Sequence, residues 1–87
     1  MKIIKSFGSR KGYNEIHVAF IIRAKYRRKG GAIIDVFVEA TLDRGGVRNI
    51  SLREDGTNDI LSVENLDQEH NLYELILNQT IENFRFD

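Results

Sequence analysis

The side chains that could do chemistry are few, and their spacing matches no reaction centre. His17 and His70 are the only histidines, there is no cysteine, and no serine stands in a nucleophile-elbow pattern. Without cysteine there is no thiol nucleophile, no thiolate metal site and no disulfide framework. Asp35 and Glu39 are a carboxylate pair that could do acid/base work, but Arg23 and Lys25 fall near them once the strands are registered. The acidic stretch from Glu54 to Asp59 resembles a calcium loop only in composition. Counted from Asp55, the positions that need glycine and a terminal carboxylate hold Ile60 and Leu66. Gly30-Gly31 and Gly45-Gly46 lie between strands, with no following helix N-terminus to receive a phosphate. The expectation is a protein that is not an enzyme, with no cofactor and no metal.

Charge supplies the next candidates. The chain is formally neutral, with 13 basic and 13 acidic side chains, yet it is polarised. Residues 1–31 carry nine Lys or Arg against Glu15 alone, and residues 32–87 carry four against twelve acids. Basic clusters at Arg10-Lys11 and Arg27-Arg28-Lys29 could track phosphates, with Tyr26 beside the second. In a meander, successive hairpin tips point to opposite ends of the sheet, so these clusters should be a strand length apart, with Arg44 joining the first. Tyr26 has core parity. Solvated turn charge therefore outweighs nucleic-acid binding as an account of these residues.

The elements that must position these groups follow from hydropathy. From Asn14 to Arg27 the even positions Ile16, Val18, Phe20, Ile22, Ala24 and Tyr26 are apolar. From Ala32 to Asp43 the even positions Ala32, Ile34, Val36, Val38, Ala40 and Leu42 are apolar too. Both are amphipathic strands. Arg28-Lys29-Gly30 is a three-residue hairpin loop that sets Tyr26 opposite Ala32, Ile22 opposite Val36 and Phe20 opposite Val38. The opposite face then pairs Arg23 with Asp35 and Ala19 with Glu39, so the two charged halves of the chain are expected to neutralise each other across the hairpin.

Arg44-Gly45-Gly46 reads as a second such loop, bringing Ile50 opposite Ala40 and Leu52 opposite Val38. Arg10-Lys11-Gly12 reads as a third, joining a first strand whose facing is ambiguous, because Ile3 and Phe7 have one parity and Ile4 the other. Past the polar turn 54–59 the period changes. Tyr73, Ile76, Leu77, Thr80 and Phe84, flanked by Leu72 and Ile81, form a helical stripe with Asp67 or Asn71 as N-cap. On that wheel Leu75 projects from the polar face with Asn71, Asn78 and Glu82. Residues 60–63 fit either a short strand or a helical turn.

The expected fold is α+β. A four-stranded antiparallel meander (β-β-β-β-α) carries one C-terminal helix on its even face, in a single domain over residues 1–87. The strands fall at about 2–7, 14–27, 32–43 and 47–54 and the helix at about 67–84. On the odd face Ile21 falls opposite Phe37, with Ala19 and Ile33 close by, an apolar patch outside the main core. The tail of the first strand (Phe7), a second copy of the chain or another partner could cover it.

The expected function is a small binding module. Ile21, Phe37, Arg23 and Asp35 contact a protein partner or a second copy as a homodimer. The alternative is accessory nucleic-acid binding through Arg10, Lys11, Arg27, Arg28 and Lys29. With neither an apolar signal segment nor a spanning run, the sequence reads as cytoplasmic, with no membrane partner.

Overall fold

Alternation with period two builds nearly the whole first two-thirds of the chain. In the computed structural model, which describes residues 1–83 and their side chains through residue 79, one antiparallel sheet runs in the order β1-β2-β3-β4-β5. The strands are β1 (Lys2–Gly12), β2 (Glu15–Tyr26), β3 (Ala32–Asp43), β4 (Gly46–Glu54) and β5 (Ile60–Leu61), followed by helix α1 (Glu69–Asn83).

The central hairpin has the register that parity demands. Tyr26 faces Ala32, Ile22 faces Val36, Phe20 faces Val38, and Arg23 faces Asp35. Ile50 faces Ala40 and Leu52 faces Val38 in the next pair. The even face is accordingly the core: Ile16, Phe20, Ile22, Val36 and Val38 are wholly buried, with Leu66, Leu72 and Ile76 from the layer above them. Burying each such side chain contributes about 1.5–3 kcal/mol.

Several boundaries differ from the sequence reading. There are five strands, not four, because after the turn closed by Glu54 and Asp59 the chain pairs Ile60 with Arg53 and Leu61 with Leu52. A 3-10 turn at Val63–Asn65 follows, so residues 60–63 are strand first and helical turn after. β1 extends to Gly12, and its turn is Tyr13-Asn14, so Arg10 and Lys11 are strand residues and not a loop. Asn14 adopts a left-handed φ of 57°, a conformation that asparagine tolerates.

The ambiguity of the first strand has a physical cause. Register shifts between Ile3 and Lys5 and between Ser6 and Ser9 each change the facing of the residues that follow. Gly8, with φ 86°, supplies the backbone freedom for the second shift, and its N–H donates to Ser6 Oγ at 3.2 Å. Ile3 thus shares the core face with Ile22, while Lys5 stands on the outer face with Ile21.

The Arg28-Lys29-Gly30 loop widens to a 3-10 turn at Arg27–Lys29 plus two glycines, closed by Gly31 N–H donating to the Tyr26 carbonyl. The third hairpin tightens to Arg44-Gly45, with Asp43 facing Gly46. A shift between Thr41 and Leu42 absorbs the residue this saves.

The helix is rotated relative to the expected stripe. Leu72 and Ile76 are wholly buried and Leu75 packs against the core, whereas Tyr73 and Leu77 are 41% and 43% exposed. Burial of Leu72 and Ile76 against the core goes with this seating, and Ser6 and Ser9 on β1 hold it, their hydroxyls donating to Gln79, to Oε1 at 3.0 Å and to its carbonyl at 3.4 Å. The helix N-terminus is fixed by Asp67 N–H donating to the Lys25 carbonyl and by Gln68 at φ 56°. Asp67 is therefore tied by its backbone to the far end of β2. Phe84 lies outside the described residues.

Between β5 and α1 the chain crosses the even face. Tyr26 pairs with Leu66 beyond the start of β1, and the Tyr26 hydroxyl accepts the Ser62 N–H at 2.8 Å.

Candidate functional site: the outer sheet face

The outer face follows from the same pleat, with α1 on the even side and odd residues on the other. Across it, cross-strand neighbours form rows: Arg10, His17, Thr41 and Asn49; then Ala19, Glu39 and Ser51; then Lys5, Ile21, Phe37 and Arg53.

An aromatic ridge crosses the last two rows. The Phe7 and Phe37 rings have centroids 5.6 Å apart and planes tilted by 54°. Phe37 is two strands from β1, a distance of about 10 Å, so the Phe7 side chain must reach over β2. Ile21, which lies between them, is only 7% exposed. Phe7 itself remains 51% exposed. Cations sit over both rings, Lys5 Nζ at 5.1 Å from the Phe7 centroid and the Arg53 guanidinium at 4.9 Å from that of Phe37.

Of the three covers open to the Ile21–Phe37 pair, the tail of the first strand takes part of the role. It buries Ile21, leaves Phe37 half-covered and moves the exposed aromatic surface to Phe7.

Beside the ridge lies an open cleft of about 460 Å3, lined by Phe7, Arg10, His17, Ala19, Glu39, Thr41, Asn49 and Ser51 among others. The short side chain of Ala19, set between His17 and Ile21, makes the hollow. A hydrogen-bonded chain runs along one side: Glu15 Oε1 lies 2.9 Å from His17 Nε2, and Thr41 Oγ1 lies 3.3 Å from His17 Nδ1. A carboxylate only accepts, so Nε2 carries a proton towards Glu15, while Thr41 Oγ1, which can donate or accept, meets Nδ1. The arrangement orients His17 and offers hydrogen-bonding groups to anything seated in the cleft. Among the described residues no cluster of three or more His, Cys, Asp or Glu could hold a metal.

Arg23 and Asp35 make the cross-strand pair that register implies, Nε to Oδ1 at 2.9 Å and Nη2 to Oδ2 at 3.4 Å. The hydrogen bond holds the Asp35 carboxyl below its ordinary value and the Arg23 guanidinium above its own. At the first end of the sheet, Arg48 and the Gly45 N–H hold the Asp43 carboxyl down in the same way.

General neutralisation of the two charged halves does not occur. Of the nine cations in residues 1–31, only Arg23 and Lys29 form ion pairs with acids of the later half among the described residues. The reason is register. Lys5 and Arg10 face Ile21 and His17, and Lys25 faces Ile33, so few acids stand opposite.

The hairpin-tip cations are not brought together. Arg10 faces outward into the cleft, whereas Lys11 pairs with Ile16 on the opposite side of the sheet. Arg27, Arg28 and Lys29 sit at the far end, beyond Tyr26. Lys29 is held by Asp59 at 3.1 Å and Glu54 at 3.7 Å, which raises its pKa. Arg44 joins Asn14 at the first end, as meander geometry requires.

Lys5, Arg53 and the His17–Thr41 contact were not singled out from sequence. Extending the register to β1 and β4 would have placed all of them on one face. No protein-family model, curated protein or solved structure matches this chain.

Proposed function

We propose that the protein is a non-enzymatic binding module that presents its outer sheet face to a protein partner. The observation that carries this reading is the aromatic ridge. A ring half exposed to water packs at a tilt on a second ring, with cations over both, on a sheet face that no other layer of the described residues covers. Desolvating Phe7 supplies contact energy, while Lys5, Arg53 and the Arg23–Asp35 pair at the rim fix orientation. The cleft floored by Ala19 would accept a side chain from the partner.

The test is a photo-cross-linking phenylalanine analogue at position 7, expressed in living cells, with position 64 as control. The expected result is a discrete protein adduct from position 7, resistant to nuclease and weakened by Arg53→Glu. A nuclease-sensitive adduct would transfer the face to nucleic-acid binding. No adduct at position 7 would overturn the reading.

A further inference from the structure

We infer that the partner of the outer sheet face is a second copy of this chain, which docks the exposed side of its α1 there. The inference rests on the binding-face reading and names its occupant.

Two surfaces on opposite sides of the molecule are left uncovered by the described residues, and they complement each other. The outer sheet face carries Lys2, Lys5, Arg10, Lys25 and Arg53, none in an ion pair among the described residues, with Lys5 over the half-exposed Phe7 ring, Arg53 over Phe37, and Glu39 as an exposed acid in the adjoining cleft. The other pole is acidic. Residues 54–83 contain eight Asp or Glu and no Lys or Arg, and Glu69 and Glu74 are exposed on α1. On that helix Tyr73 and Leu77, one turn apart, stand exposed beside Glu74, an apolar pair with an acidic border. Each face thus has an apolar centre and a charged rim; the sheet rim is predominantly basic, with Glu39 its exposed acid, and the helix rim is acidic.

The faces belong to different layers, so one molecule cannot satisfy both by folding on itself. Sheet-to-helix contact is heterologous, and it leaves one helix and one sheet face free at the ends of any pair. Association therefore continues head to tail instead of closing as a two-fold dimer. The zero net charge removes the long-range repulsion that would oppose it. A nucleic acid approaching the sheet face would meet no such matched pair, and the acidic pole would repel it.

Size sets the strength. A 15-residue helix is about 22 Å long, roughly half the 43 Å long axis of the molecule. A contact limited to one face of a 15-residue helix belongs with small, transient interfaces, so the range to search for the step dissociation constant is about 0.1–1 mM.

Sedimentation analysis of the intact chain tests this across that concentration range. The expected weight-average mass passes the dimer without a plateau. It falls back between about 20 mM and about 500 mM salt, as the Debye length shrinks from ~20 Å to ~4 Å. Two double variants separate the poles: Lys5→Glu with Arg53→Glu on the sheet, and Glu74→Lys with Leu77→Lys on the helix. Lys5, Glu74 and Leu77 are exposed and Arg53 is half-buried, and amide NMR spectra confirm that each variant folds. Each alone should associate at least tenfold more weakly than the parent, and their mixture should form a one-to-one dimer and nothing larger.

A parent that stays monomeric at about 1 mM, a mass that stops at the dimer, or variants that still assemble alone would overturn the inference. A position-7 adduct with a different protein, from a chain that remains monomeric, would refute self-docking and leave the binding-face reading standing. Loss of the adduct as well would remove both.

Discussion

Phe7→Ala separates a contact surface from a second core. Phe7 keeps 51% of its surface exposed, so truncation forfeits about half the burial energy of a phenylalanine, roughly 1 kcal/mol. Its tilted stacking on Phe37 at 5.6 Å adds about 0.5–1.5 kcal/mol, for an expected cost of about 1.5–2.5 kcal/mol. Phe20, wholly buried beneath the same sheet, should cost about 3–5 kcal/mol on the same substitution. An 87-residue domain has about 4–13 kcal/mol in total, so Phe7→Ala should remain folded.

Urea unfolding followed by far-ultraviolet circular dichroism, at low micromolar protein where self-association is negligible, reads the difference as a midpoint shift at constant m. A cost equal to that of Phe20→Ala would mean that the outer ridge is structural core and not a face kept for a partner. A cost near zero would mean that Phe7 does not lie over Ile21 and Phe37 in solution. A double-mutant cycle with Phe37→Ala sharpens the result, with an expected coupling of about 0.5–1.5 kcal/mol.

Other consequences are simpler to check. In the same unfolding assay, Ile76→Ala should cost about 2–5 kcal/mol, whereas Leu77→Ala, 43% exposed, should cost under about 1 kcal/mol. Equal costs would refute the seating of α1. The carboxyls of Asp35 and Asp43 are held below their unfolded values, so the stability they contribute is present above the ordinary carboxylate range and lost as pH falls through their lowered folded values. Asp43→Asn should flatten that acid loss in thermal melts taken through this window. At Asn14, φ 57° makes Asn14→Val cost about 1–2 kcal/mol, while Asn14→Gly should change stability by only a few tenths.

The register of the central hairpin, though not its loop, was legible because one rule, parity, governs both of its strands. Tyr26 to Ala32 and Phe20 to Val38 admit only one register that keeps the even face apolar. β1 was not legible in the same way, because its two shifts reset parity inside the strand and hid which side Phe7 occupies. Until that is known, Phe7 is one of three possible covers for Ile21 and Phe37, and the sequence does not decide among them. The helix misled for a different reason: its sequence has two apolar stripes. Periodicity favours Tyr73 and Leu77 as readily as Leu72 and Leu75, and tertiary contacts decide between them: packing of Leu72 and Ile76 with Leu66, the Asp67–Lys25 backbone bond, and the Ser6 and Ser9 bonds to Gln79. Charge polarity was visible in the sequence, but whether it cancels depends on register at every strand pair.

The crossing of the chain between β5 and α1 has a bearing on synthesis. Leu66, Leu72 and Ile76, which close the even face, all lie after residue 61 in the chain. A growing polypeptide that has already paired β1 to β4 therefore displays a bare wall of isoleucine, valine and phenylalanine. At about 5–20 residues per second, the 29 residues from Asp55 to Asn83 leave that wall uncovered for roughly 1.5–6 s. The meander can form early, but its even face is closed only when Ser62 and Leu66 dock on Tyr26, at the end of β2, and α1 follows with Leu72 and Ile76. Translation speed through this stretch, as much as the sequence itself, then governs how much of the chain reaches the folded state before neighbouring nascent chains find its open face.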